Sequence, residues 1–239
     1  MTQLRTVDDR SELARFYADA PEGVRANMIF SADGAAAFRG RAGTLSCPTD
    51  QNLLRDLRAF ADVVLVGAGT ARAENYGPVR FSAVQEELRG DRRGQAPPPI
   101  AVVSETGRLP ATLFDGPQQP ILVTSDRAAS KHSFSRHTRW QVMPAGDDHV
   151  DLATAVGLLR AAGLRRILCE GGPTVLDQLV EADVVDEICV TIAPLLAGSQ
   201  PVGHGQASRR SLPNSLELAH ALLCDGYMFL RYRRASKPA

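Results

Sequence analysis

The sequence predicts an α/β fold in three layers, with a mostly parallel, mixed sheet between helices on both faces. Short apolar runs alternate with helix-patterned stretches along most of the chain, the order that builds parallel strands joined by helical crossovers. Some runs, such as Val63 to Val66, are apolar at every position, as strands covered on both faces are. The last stretch, LELAHALLCDGYMFLRYRR, alternates around Asp225-Gly226, a tight-hairpin pair, so an antiparallel pair closes the sheet.

Residues 1–24 read as a polar lead-in with a short helix around Ser11 to Ala18, and 25–235 as one domain. RANMIFSADG is a strand running into the turn at Asp33-Gly34. A helix follows over SCPTDQNLLRDLRAFA, with Pro48 at its first position, Asp50 in its first turn, and Leu53, Leu54, Leu57 and Phe60 at helical spacing. DVVLVGAGT is a buried strand that feeds a glycine turn and a short helix through Ala73. Strands are expected at Pro99–Ser104, Pro120–Ser125 and Trp140–Pro144, with GDRRGQAPPP before the first of them as a surface loop. Helix DLATAVGLLRAAG, strand RILCEGG, helix PTVLDQLVEA and strand VDEICVTIAP complete the alternation.

Composition narrows the function classes. Lys+Arg and Asp+Glu both number 27, without the basic excess of a nucleic-acid binder. No apolar run is long enough to span a bilayer and no secretory signal opens the chain, so a cytoplasmic location is expected. The four cysteines lack zinc-site spacing, so no metal is expected and Cys47, Cys169 and Cys189 are read as packing residues.

Two segments share a design: Val64-Leu65-Val66-Gly67-Ala68-Gly69-Thr70 and Ile167-Leu168-Cys169-Glu170-Gly171-Gly172-Pro173-Thr174. Each is an apolar strand, then glycines, then a threonine opening a helix. Glycine lets backbone N–H groups approach a ligand, and a helix N-terminus favours anions. Either bend alone reads first as an ordinary strand-to-helix turn. The pair, side by side at the sheet's edge, points to a bound pyrophosphate, although neither is a G-x-G-x-x-G or Walker loop.

The order of S-x-D-G, V-G-x-G-T and E-G-G-P-T, with LSCPTDQNLLRDLRA and VVDEICVTIAPLLAG between and after them, resembles the riboflavin-pathway pyrimidine reductases. These are similar in fold to dihydrofolate reductase. The resemblance covers residues 26 to 198. It implies a reductase converting 5-amino-6-(5-phosphoribosylamino)uracil to its ribityl product, with NADPH delivering hydride to an imine-like, ring-opened sugar carbon.

Residue roles follow from the resemblance. Gly69 and Thr70 would contact the cofactor phosphates, and Glu74, where the family usually has Asp, its ribose or amide side. Val103 and Ser104 would reach the adenosine end, and Gly171, Gly172, Pro173, Thr174 and Val175 would wrap the pyrophosphate. Glu170 would face the substrate, whose phosphate would meet Arg58 and Arg80. Asn27 stands where bifunctional relatives usually carry Lys. Asp50, by spacing a first-turn helix residue, resembles the substrate-binding acid of dihydrofolate reductase, so Asp50 and Glu170 are the candidate catalytic carboxylates. Asp33 is expected to be a turn residue.

Thr124, Ser125 and Arg127 are candidates for a 2′-phosphate contact, though a helix cap explains Ser125 better. A homodimer through the terminal strands is implied by the family. The H-x-E…P-C-x-x-C signature of a zinc deaminase is missing from the sequence, so no deaminase domain is expected. Two other readings stand beside this one: a dihydrofolate or dihydropterin reductase on the same fold, and a non-enzymatic nucleotide-binding protein. Arginines 58 and 80 turned into a pocket would favour a sugar phosphate; turned to solvent, they would favour a pterin.

Overall fold

The computed structural model describes residues 4–134, 139–198 and 213–235. Ten strands form one sheet: β1 (Leu4–Thr6), β2 (Val24–Ser31), β3 (Val63–Gly67), β4 (Ile100–Val103), β5 (Ile121–Thr124), β6 (Gln141–Pro144), β7 (Ile167–Cys169), β8 (Val185–Ala193), β9 (Leu216–Cys224) and β10 (Tyr227–Arg234). Their order is β1-β9-β10-β8-β2-β7-β3-β4-β5-β6. Only β10 runs antiparallel to its neighbours, β8 and β9. The mostly parallel, mixed sheet is therefore the one expected, and the terminal hairpin turns at Asp225-Gly226.

Alternation along the strands assigns the two covering layers. Val63, Leu65, Ala101, Val123 and Ile167 face α5 (Leu152–Ala161) and α6 (Pro173–Glu181). Val64, Val66, Val102 and Leu168 point the other way, where α1 (Pro48–Ala59), α2 (Ala68–Ala73) and a 3-10 helix at Arg10–Tyr17 cover the sheet. All four residues Val63–Val66 are fully buried, which explains why this strand shows no polar alternation.

Helix α1 forms where its sequence signals place it. Pro48 supplies the fixed φ of the first turn, the Cys47 sulfur accepts the Asp50 N–H, and Leu53 and Leu57 bury against the sheet. Three features escaped the sequence. The lead-in contributes β1, parallel to β9, and buries Val7, Leu13 and Tyr17. A short helix, α3 (Ala83–Leu88), is held by a Ser82–Gln85 capping box. The supposed surface loop from Gly90 is anchored at its start, because Arg92 donates to the carbonyls of Ala59 and Ala61 and pairs with Asp62. The polar helix α4 (Asp126–His132) starts at Ser125, whose hydroxyl accepts the Ala128 N–H, so the cap explanation of Ser125 is the one observed. None of the four cysteines forms a disulfide, and three are buried.

The lead-in is fastened by charge. Glu187, with its side chain only 1% exposed, meets Arg25 at 2.5 Å, Arg231 at 2.7 Å and Arg233 at 3.1 Å. Arg25 and Arg231 donate onward to the carbonyls of Tyr17 and Phe16. Burial alone would push the Glu187 carboxyl up, but the surrounding arginines more than reverse this and hold it below its ordinary value. Because the folded-state value is depressed, its stabilisation is present above the unfolded value and fades as pH falls through the folded one. Glu187→Gln is expected to cost about 3–5 kcal/mol of unfolding free energy at pH 7, as removal of one partner from a buried ion cluster does. Urea titrations at pH 7 and in acid should show the deficit shrinking as the wild-type carboxyl becomes protonated.

Candidate active site

The two glycine bends meet. β3 and β7 are adjacent parallel strands, and Gly67 N–H donates to Gly171 O at 2.8 Å. They lie at the carboxyl ends of two central strands, which corrects the expected place at the sheet's edge: five strands stand on one side of β7 and three beyond β3. Their packing leaves no room for side chains. A Cβ at Gly172 would lie 2.4 Å from Thr70 Oγ1, and one at Gly67 would lie 3.1 Å from Val175. Gly171 has φ +85, a left-handed value that favours glycine. At Gly69 an added Cβ would meet nothing within 4 Å, so backbone there is open to a ligand.

Beside these bends is a cavity of about 370 Å³ between β2, α1, the segment 36–46 and the turn after α2. Asn27, Asp50, Arg58, Thr70, Glu74 and Glu170 all line it. The tertiary fold thus gathers six of the expected positions, drawn from four separate stretches of sequence, around one space.

Their partners differ sharply. Arg58 grips Glu170 through Nε and Nη2, both at 2.7 Å, and Tyr76 donates its hydroxyl to the same carboxylate at 2.6 Å. The Arg58 guanidinium also lies 5.3 Å from the centre of the Tyr76 ring, a cation–π contact. Burial and the adjoining Glu170 charge push the Tyr76 hydroxyl well above its ordinary value, so it stays protonated and donating. Among the described residues Asp50 pairs with no cation. It is 8% exposed and accepts from Ser46 Oγ at 2.5 Å, with Thr191 as a second hydroxyl partner. Burial raises its carboxyl, and the two hydroxyls offset this only in part.

Other expected residues stand elsewhere. Arg80 is exposed, donates to the Asp115 carbonyl at 2.8 Å and does not line the cavity. The segment after α2 carries it toward the 3-10 turn at Ala111–Phe114. Val103 ends β4 and Ser104 follows it, where Ser104 Oγ accepts the N–H groups of Thr106 and Gly107. Pro173, Thr174 and Val175 open α6. Glu74 accepts from the N–H of Ala42 at 2.9 Å and pairs with Arg41 at 3.6 Å, tying down the segment over the cavity. Asp33 is a turn residue that also accepts from Ala197 and Gly198 N–H.

Sequence reasoning missed Tyr76, Ser46 and Arg55. Arg55 was legible, since Gln51, Leu54, Arg55 and Arg58 fall at helical spacing and all four line the cavity. Tyr76 and Ser46 sit in irregular segments that carry no periodic signal.

The family described as RibD C-terminal domain matches residues 22–228. The chain belongs to that family. It is 28% identical over 217 residues to the 2,5-diamino-6-ribosylamino-4(3H)-pyrimidinone 5′-phosphate reductase of Archaeoglobus fulgidus, covering 88% of this chain and 90% of the relative. It is 27% identical to the riboflavin biosynthesis protein RibD of Escherichia coli, covering 72% of this chain but 48% of that longer protein. The crystal structure of a pyrimidine reductase-like protein from Corynebacterium diphtheriae superposes with a TM-score of 0.75 at 26% identity, covering 97% of this chain and 100% of that one. The three-layer, dihydrofolate-reductase-like fold expected for this family member is the fold observed.

Asp50 yields a two-sided prediction. Its raised folded-state value means that folding favours the protonated carboxyl, and this advantage is lost as pH rises. Asp50→Asn should therefore unfold at a higher temperature than wild type, by a margin that widens as pH rises through the unfolded value and levels off once the folded-state carboxyl is ionised. The same variant should lose about 100-fold or more in turnover, the scale of a general acid. Thermal unfolding across pH and steady-state reductase assays check the two halves.

Proposed function

We propose that this RibD-family reductase opens and reduces the ribose of a phosphoribosylaminopyrimidine to the ribityl form, in riboflavin biosynthesis, with NADPH as reductant. The expected substrate is 5-amino-6-(5-phosphoribosylamino)uracil. The Archaeoglobus relative is named for the form that still carries the 2-amino group, so both rings belong in the assay. One observation carries the reading: Asp50, a buried carboxyl that pairs with no cation among the described residues, shares its cavity with Thr70 of the glycine cradle.

The residues present fit a dinucleotide. Open backbone at Gly69 and the side-chain-free contact of Gly172 with Thr70 leave a narrow cradle beside the first turn of α6. When bound, the nicotinamide supplies a hydride to the sugar carbon. This chain's residues do the rest. Asp50 donates the balancing proton to the exocyclic nitrogen, with Ser46 and Thr191 fixing its orientation. Arg58 and Tyr76 hold Glu170 rigidly at the cavity wall, where its remaining lone pairs accept from substrate N–H or O–H groups. The segment tied by Glu74 restricts water.

A dihydropterin or dihydrofolate remains a second reading because Arg80 turns away from the cavity while buried Asp50 lines it. Oxidation of NADPH should be followed with the uracil substrate, its 2,5-diamino counterpart and dihydrofolate. Turnover is expected on a phosphoribosylamino substrate. Turnover on dihydrofolate alone would install the second reading, and tight NADPH binding without any oxidation would leave a binding protein. The homodimer belongs to the same proposal: Met228, Leu230 and Tyr232 repeat along one face of β10, outside the apolar core.

A further inference from the structure

The cations around the cavity have mostly been spent on protein carboxylates. Arg58 is bound through two nitrogens by Glu170, so the pair presents no net charge to a ligand. Arg41, on the segment over the cavity, faces Glu74. Arg80 lies outside. Arg55 differs from all three. It lines the cavity from α1, three residues before Arg58, and is exposed to solvent. Its Nη1 donates to Asn52 Oδ1 at 2.8 Å, and among the described residues it forms no ion pair.

We propose that Arg55 binds the substrate's 5′-phosphate, the role that family resemblance gives to Arg58 and Arg80. The inference rests on the phosphoribosylaminopyrimidine reading above. Geometry supports it in two ways. The bond to Asn52 fixes one corner of the guanidinium and leaves Nε and Nη2, the edge that meets two oxygens of a phosphate at once. The arginine also stands on the exposed side of the cavity, while Asp50 is buried in its wall. A substrate with a flat ring at one end and a hydrated dianion at the other matches that gradient. Gln51, one turn before Arg55 on the same stripe, adds an exposed amide.

The test compares wild type, Arg55→Gln and Arg80→Ala, each with the phosphorylated pyrimidine and with its dephosphorylated ribosylamino counterpart. Affinity is measured by calorimetry without cofactor, and kcat and KM are measured with NADPH. Arg55→Gln should reduce the preference for the phosphorylated compound by about 10- to 100-fold, the scale of one charge-assisted contact. The loss should fall in affinity and KM, with the thermal unfolding midpoint unchanged. Equal loss on both compounds, no loss, or a phosphate-selective loss at Arg80→Ala alone would overturn the proposal. Wild type that binds the phosphorylated compound selectively through Arg55 but never reduces it would instead sink the functional reading and leave the phosphate site standing.

Discussion

Everything at the site depends on the parallel pairing of β3 with β7. That pairing brings two strand ends, a hundred residues apart in the chain, to within one hydrogen bond, Gly67 to Gly171. It also fixes which way Glu170 points, because Glu170 N–H donates to Leu65 O in the same ladder. A slip of one residue would turn Glu170 to the face covered by α5 and α6, where apolar side chains would meet its charge. In register, it faces α1 and finds Arg58 there.

The two cavity carboxylates then receive opposite surroundings. Glu170 is held by a guanidinium and a phenol, so its charge is compensated and its geometry rigid. Among the described residues the Asp50 carboxyl is partnered by hydroxyls, and burial works against its ionisation. Environments that differ in this way let two carboxylates in one pocket take different tasks. The same logic operates at Glu187, where three arginines offset burial and the product is mechanical: the lead-in is clamped to the sheet. Buried charge is expensive unless paired, and this chain uses pairing for anchorage in one place and for a fixed wall in another.

Much of the fold was legible because it rests on local periodicity. Apolar runs such as Val63–Val66 become strands whatever they pair with, and Pro48 followed by Leu53 and Leu57 starts and orients a helix by itself. What escaped was short or polar. β1 is three exposed residues that form a strand only because β9 offers an edge. α3 has no buried residue, and its capping box was its only signal. Arg80 was expected at the substrate phosphate from the family resemblance alone, and in the fold the backbone after α2 carries it to the Asp115 carbonyl.

By itself the sequence determined most of the strand and helix order, the two glycine bends and the family, since each is written in contiguous residues whose spacing or identity suffices. Tertiary structure alone decided which charges remain available. Whether a given arginine is neutralised depends on carboxylates far away in the chain, as Arg58 on Glu170 shows, and no local pattern encodes that distance. It likewise decided that Asp50 is buried and, among the described residues, meets hydroxyls rather than a cation, since one of those hydroxyls, on Thr191, comes from a strand far along the chain.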